Sequence, residues 1–395
     1  MTACLSDLGA RLLAARERVG LSQEDVGLLA GQPRTVISNW ETGDRRPNSA
    51  ALTKLSLIYR TPVEELLGTP SSADRPAFDA MLFRTAGDRL AGAARYEIER
   101  FLQFLDDYAE LLTSLGEPPG LQRAPFSIRD GFASKEDVRR RAEDARTFLR
   151  LGPGPIGDLG AVADLAGISV YHAPLGGNLD ATISGAFLPH DRVGFAVLVN
   201  AQTTPGRRQF TLAHELAHAL FHGRRLYVGW LGRPEAVERF ADQFAAEFLV
   251  PTASLRAAVE AIGLTKVRDP EVAVHLQRYF RVSYAMLLVR LRAARLADDE
   301  DVEAMRQIHP VHVAERLGYS VARDEWSQDP DAWGLARFPK RFLRLLRRAF
   351  DEGRITLSSA SAITGLSDLD LEQSLRDTPA TRTDNDDFAA LSASA

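Results

Sequence analysis

Apolar positions along this chain fall into three regimes, and each predicts a different architecture. Over residues 6–68 they recur at helical spacing in short bursts separated by Gly and Pro, which predicts a compact cluster of helices. The stretch LLGTPSSADRP closes this block with the Ser/Pro/Gly/Asp composition of a linker. From about 86 to 116 a longer helical pattern places Ile98, Phe101, Leu105, Tyr108, Leu112 and Leu115 at alternating spacings of three and four, and GEPPG ends it. Such a stripe can seat inside the chain or form the seam of a homodimer, and its length does not decide between them.

The third regime begins near residue 135. The helix KEDVRRRAEDARTFLRLG and the breaker PGP give way to three short strand-like runs, GISVYH, ATISGAFL and VGFAVLVN, and then to long apolar helices up to about 295. VGFAVLVN, residues 193–200, reads either as an edge strand able to accept a peptide as an added strand or as a central strand. Further helices follow, among them FPKRFLRLLRRAF, and the stretch from TPATRTDNDD onward has the composition of a disordered tail. The expected division is a helical domain over 1–70, a helical connector over 71–134 with dimerisation as one option, a mixed domain over 135–298, a helical region over 299–375 and a tail over 376–395. The chain is thus expected to be multidomain and mainly α, with one all-α domain and one α+β domain holding a small sheet.

Composition narrows the function classes. With 395 residues, 45% hydrophobic and 26% charged, the chain is long enough for several real cores and carries no fibrous or disordered bias. It holds no run of about 18 apolar residues and no signal-peptide pattern, so a cytoplasmic protein without membrane contact is expected. Cys4 is the single cysteine, which excludes a disulfide framework and a cysteine-held zinc, so any metal falls to histidine and carboxylate. The net charge of −5 argues against bulk attraction to nucleic acid while leaving room for a local basic face.

Against that background TLAHELAHALFH, residues 211–222, carries chemistry. His214 and His218 are four apart, so on an α-helix they lie about 40° from each other and one turn apart, and both imidazoles can reach one tetrahedral zinc. Glu215 points to the side, within reach of a water activated at the metal, as a general base requires. The residues between and around them are uncharged, as a buried metal helix demands. The competing reading makes these ordinary helix histidines, with nearby acids in salt bridges. A catalytic zinc also needs a third protein ligand. His222 lies one turn further on but about 80° round from His214. The histidine spacing of metzincins is excluded by Arg224 and Phe221. A better source is RPEAVERFADQFAAEFLVP, whose apolar stripe Val237, Phe240, Ala241, Phe244, Ala245 and Phe248 is interrupted by Glu238 and Asp242, four apart on one face.

HELAH followed by ERFADQFAAEFLVP resembles the ImmA/IrrE family of metallo-endopeptidases, over about residues 150–295, and TPGRRQFTLAHE after VGFAVLVN fits the same family. The resemblance implies a zincin-like domain of gluzincin type, with His214, His218 and Glu238 on Zn2+, or Mn2+ in its place. It implies Glu215 as the catalytic base and Asp242 as acceptor for the remaining N–H of a ligand histidine, fixing its tautomer. Tyr284 in RVSYAMLLVRL is a candidate oxyanion donor, with ordinary core packing as the competing role.

A second constellation lies at residues 20–47. Ser22 and Asp25 suit an N-cap and first turn, Gly31 makes a turn, and a second helix is expected from Pro33 at its first position to Trp40, ending before Gly43. GLSQEDV, ISNWETGDRRP, ALTKLSLIY and TPVEELLG together resemble the Xre/phage-repressor helix-turn-helix family over residues 6–68. That resemblance implies a double-stranded DNA operator as partner, bound by a homodimer, with Arg34, Thr35, Ser38 and Asn39 at base edges and Gln23, Arg45, Arg46 and Lys54 at phosphates. Eight basic and eight acidic residues in the first seventy leave the domain neutral, so binding must come from where charge sits. Such domains also act as protein-binding modules.

The two resemblances together imply a DNA-binding transcriptional regulator with a zinc-dependent endopeptidase domain. Its protein substrate is expected to be an Xre-type repressor, in a stress or phage-induction response, or the chain itself at LLGTPSSADRP. The alternative is a non-catalytic repressor or antitoxin whose second domain binds a toxin or ligand. Retention of Glu215 favours catalysis.

Overall fold

The computed structural model describes residues 3–18, 21–59, 61, 63–67, 92–126, 134–176, 184–223, 235–319 and 331–377. Most of the LLGTPSSADRP stretch and nearly all of the expected tail lie outside them. The helices α1 (Ala3–Arg18), α2 (Gln23–Ala30), α3 (Arg34–Thr42), α4 (Ser49–Tyr59) and α5 (Val63–Leu66) close around a core that includes Leu12, Val26, Ile37, Trp40, Leu55 and Leu66. Ser22 and Asp25 form a capping box at the start of α2. Gly31 (φ 65°) ends α2 in the left-handed region, sending its N–H back to α2 carbonyls so that the chain can reverse into α3. Pro33 stands one residue earlier than expected: its extended ψ of 145° makes it the N-cap, and α3 runs on to Thr42 before Gly43 (φ 81°) stops it.

The pattern at 86–116 becomes α6 (Gly92–Leu115), and α7 (Lys135–Phe148) and α8 (Leu159–Leu165) lead into a three-stranded sheet of β1 (Ser169–Ala173), β2 (Gly185–His190) and β3 (Gly194–Asn200). The order is β1-β3-β2, with β1 parallel and β2 antiparallel to β3. VGFAVLVN is therefore the central strand, and β2 takes the edge. All seven residues of β3 are buried, which explains its unbroken apolar run: side chains alternate between two faces and both are covered. Phe195, Val197 and Val199 join Val170 and Phe187 in one core, whereas Ala196 and Leu198 join Tyr171 and Leu188 in another.

The first face carries α9 (Pro205–Ala217), which continues as a π turn over His218–His222, then α10 (Glu235–Leu249), α11 (Thr252–Ala261), α12 (Pro270–Phe280), α13 (Tyr284–Ala293), α14 (Asp299–Arg306) and α15 (Pro310–Arg316). The second face is covered by α6 and, after a 3-10 stretch at Asp331–Arg337, by α16 (Lys340–Asp351), with α17 (Leu357–Thr364) and α18 (Asp368–Asp377) beside it. Phe104 of α6 stacks on Tyr171 of β1 at 4.9 Å and meets Phe342 of α16 edge-on at 4.9 Å.

Of the two places open to the α6 stripe, the structure gives it the one inside the chain. Ile98, Phe101, Leu105, Tyr108, Leu112 and Leu115 are all buried against β1, β3 and α16 of their own chain. Each contributes roughly 1.5–3 kcal/mol by leaving water, which a second chain cannot claim again. Among the described residues no helix is long and apolar enough to cross a membrane.

Candidate metal centre

The site grows from the meeting of α9 and α10. Pro205 opens α9 at a position where a missing N–H costs nothing, and Thr211, Leu212, Ala213, Leu216 and Ala217 bury the helix on the sheet. The approach is close at Gly185: a Cβ there would lie 2.4 Å from Thr211 Cγ2 and 3.4 Å from Glu215 Cγ. Only a glycine at the start of β2 lets the helix lie this near the edge strand, and it sets the buried Glu215 against that strand. The far end of α10 is tied down by Glu247, which accepts from Arg290 Nη2 at 2.5 Å and from the Thr252 N–H at 2.7 Å.

His214, His218 and Glu238 converge, each offering one atom within 4.8 Å of the others. His214 Nε2 lies 3.2 Å from Glu238 Oε2 and 3.2 Å from His218 Nε2, and His218 Nε2 lies 3.5 Å from Glu238 Oε1. Ligands at about 2.1 Å around a tetrahedral zinc stand roughly 3.4 Å apart. The donor set therefore fits zinc in chemistry and spacing. Two imidazole nitrogens facing each other at 3.2 Å also need a cation or a proton between them. Asp242 Oδ1 takes the other side of His214, 2.9 Å from Nδ1. Burial disfavours a charged His214, but its hydrogen bonds to Asp242 and Glu238 and the charge of Glu215 outweigh it and push the pKa up to about 9.

His222 behaves differently from the α-helical expectation. The π turn swings it back, so that its Nδ1 lies 3.1 Å from His218 Nδ1, on the side of the ring away from the cluster. It is still outside the ligand group. Tyr284 is not brought to the cluster. It is buried in the core at 9% exposure, and its hydroxyl donates to the Met305 carbonyl at 3.3 Å. Its helix start packs on Gly206, in the first turn of α9, whereas His214 lies about 12 Å further along that helix.

In the first domain Arg34, Thr35, Asn39, Arg45, Arg46 and Lys54 are exposed and Ser38 is half-buried. Gln23 is half-buried and its amide donates to Glu41 Oε2 at 2.9 Å. Glu41 also takes a buried ion pair from Arg16 at 2.6 Å, joining α1 to α3. Neither this clamp nor Gly185 stands out in the sequence, because each is defined by a partner remote in the chain.

Residues 12–66 match the helix-turn-helix family model, and residues 164–292 match that of the peptidase M78 family, described as an IrrE N-terminal-like domain. The chain is thus a helix-turn-helix protein with a metallopeptidase-like second domain. More particularly, an Xre-type helix-turn-helix is followed by an IrrE/ImmA-like domain, in that order. No curated protein and no solved structure matches the chain.

Proposed function

We propose that this protein is a DNA-binding regulator whose second domain is a zinc-dependent endopeptidase that cleaves an Xre-type repressor. The observation carrying this reading is the set of three donors at separations of 3.2 to 3.5 Å, matched to one tetrahedral ion, with Glu215 buried on the same helix. Bound zinc supplies a Lewis acid that polarises a carbonyl and makes water acidic. Glu215 takes the proton from the attacking water and returns it to the leaving amine. The edge strand β2 starts beside Glu215, so a peptide paired to that edge in extended form runs past the base. His214 is held in place by Asp242 at 2.9 Å and Glu238 at 3.2 Å, and with His218 and Glu238 it would hold the ion.

The test is to incubate the zinc-loaded chain with Xre-type repressors encoded beside it, in parallel with Glu215→Gln. The variant is expected to keep its zinc and to cleave roughly 10²–10⁴-fold more slowly. Repressors left intact by the zinc-loaded wild type would rule out this proteolysis and favour the non-catalytic, toxin-binding regulator.

A further inference from the structure

Asp242 accounts for only one of the two ligand imidazoles. His214 turns Nε2 to the cluster and gives Nδ1 to Asp242, 2.9 Å away. His218 also turns Nε2 to the cluster, so the lone pair a metal needs is on Nε2 and the ring proton must be on Nδ1. His218 is 0% exposed, and a buried N–H requires an acceptor. The atom facing it is Nδ1 of His222, at 3.1 Å.

The local backbone is built for this contact. Past His218 the helix widens into a π turn, with the Gly223 N–H returning five residues to the His218 carbonyl, and π turns of this kind gather at functional sites. Gly223 (φ 53°) ends the turn where a Cβ would meet Ala124 Cβ at 3.1 Å. On the other side, Phe240 of α10 meets the His222 ring edge-on at 5.7 Å. The helix that supplies Glu238 and Asp242 thus also seats His222.

We propose that His222 is a positioning residue for the metal site. As the neutral Nε2–H tautomer it accepts the Nδ1–H of His218 and so fixes the Nε2 of His218 on the metal. It does for the second ligand what Asp242 does for the first, without adding a negative charge. This rests on the zinc site proposed above.

The full chain is titrated with Zn2+ against a chromogenic chelator, as wild type, His222→Phe and His222→Asn, and the unfolding temperature of each metal-free form is measured. Phe keeps a ring but accepts nothing, and Asn sets an oxygen where histidine has Nδ1. His222→Phe is expected to bind zinc roughly 10- to 100-fold more weakly with its metal-free unfolding temperature unchanged, and His222→Asn to stay near wild type. If His222→Phe binds as tightly as wild type, or His222→Asn loses as much as His222→Phe, the contact is packing and the proposal is overturned. Should the Phe variant fail to fold, His222→Ala takes its place beside His222→Asn: weak binding by Ala alone supports the proposal, and equal binding by the two overturns it. A wild type that takes up no stoichiometric zinc would instead overturn the metal site itself.

Discussion

In the helix-turn-helix domain the residues set out for DNA, Arg34, Thr35 and Asn39 on α3 with Arg45 and Arg46 beyond it, are exposed, and a buried contact elsewhere holds their helix. That contact, Arg16 with Glu41, touches none of them, and of the DNA candidates Gln23 alone among the described residues meets it, donating to Glu41 Oε2 at 2.9 Å. In the metal domain the arrangement is inverted: His218 is wholly buried, His214 and Glu238 are half-buried, and the donors sit where α9 and α10 meet. On α3 of the first domain, then, scaffold and chemistry can be damaged separately. In the second, the same side chains serve both, and damage to the site is damage to how two helices meet.

The largest effect should come from Glu238→Ala, which removes a ligand that both histidines face. Stoichiometric zinc is expected to disappear, read by metal analysis after dialysis, while DNA affinity stays at the wild-type value. Loss of DNA binding in the same variant would show that the two domains are not separable. Next is Arg16→Met, which leaves the buried Glu41 with the Gln23 amide but no cation and should cost the first domain about 3 kcal/mol. A calorimetric scan should show that domain melting early, with zinc content untouched. A smaller effect concerns His172 on β1, where burial first and then the charge of Arg208 hold the pKa down at about 4. Between pH 6.5 and 4 the unfolded chain binds a proton that the folded chain refuses. Stability is therefore full above pH 6.5 and falls as pH drops through this window, by at most about 3 kcal/mol. His172→Phe should remove that part of the loss, seen as the difference from wild type in urea melts at pH 7.5 and pH 5. The mildest is Arg34→Ala, expected to weaken operator binding by roughly 1–3 kcal/mol and to leave folding and metal unchanged, measured by filter binding at several salt concentrations.

Where spacing along one helix is the message, the sequence can be read directly. HELAH and the Glu238–Asp242 pair are local patterns imposed by the size of an ion and the pitch of a helix, and the structure brings these residues together. The capping box at Ser22 and the turn at Gly31 are legible for the same reason. What covers a surface is not legible. The α6 stripe is a valid seam by pattern, but its cover is Phe342, more than two hundred residues later. VGFAVLVN reads as edge or centre, although its lack of any polar alternation is the sign of a strand buried on both faces. Ideal α-helical geometry turns His222 about 80° from His214, and a switch to π hydrogen bonding has no signature in the residues themselves.

The sheet with two covered faces has a practical consequence for anyone cutting the gene. The stretch that matches the peptidase family, 164–292, contains every strand among the described residues and the metal helix, yet the layer behind the sheet comes from 92–115 on one side and 340–351 on the other. A fragment trimmed to the matching stretch would present Tyr171, Leu188, Ala196 and Leu198 to water as one continuous sticky surface. The span shared with the family is therefore shorter than the span that can stand alone in solution, and a fragment cut for expression should begin before Gly92 and run past Asp351.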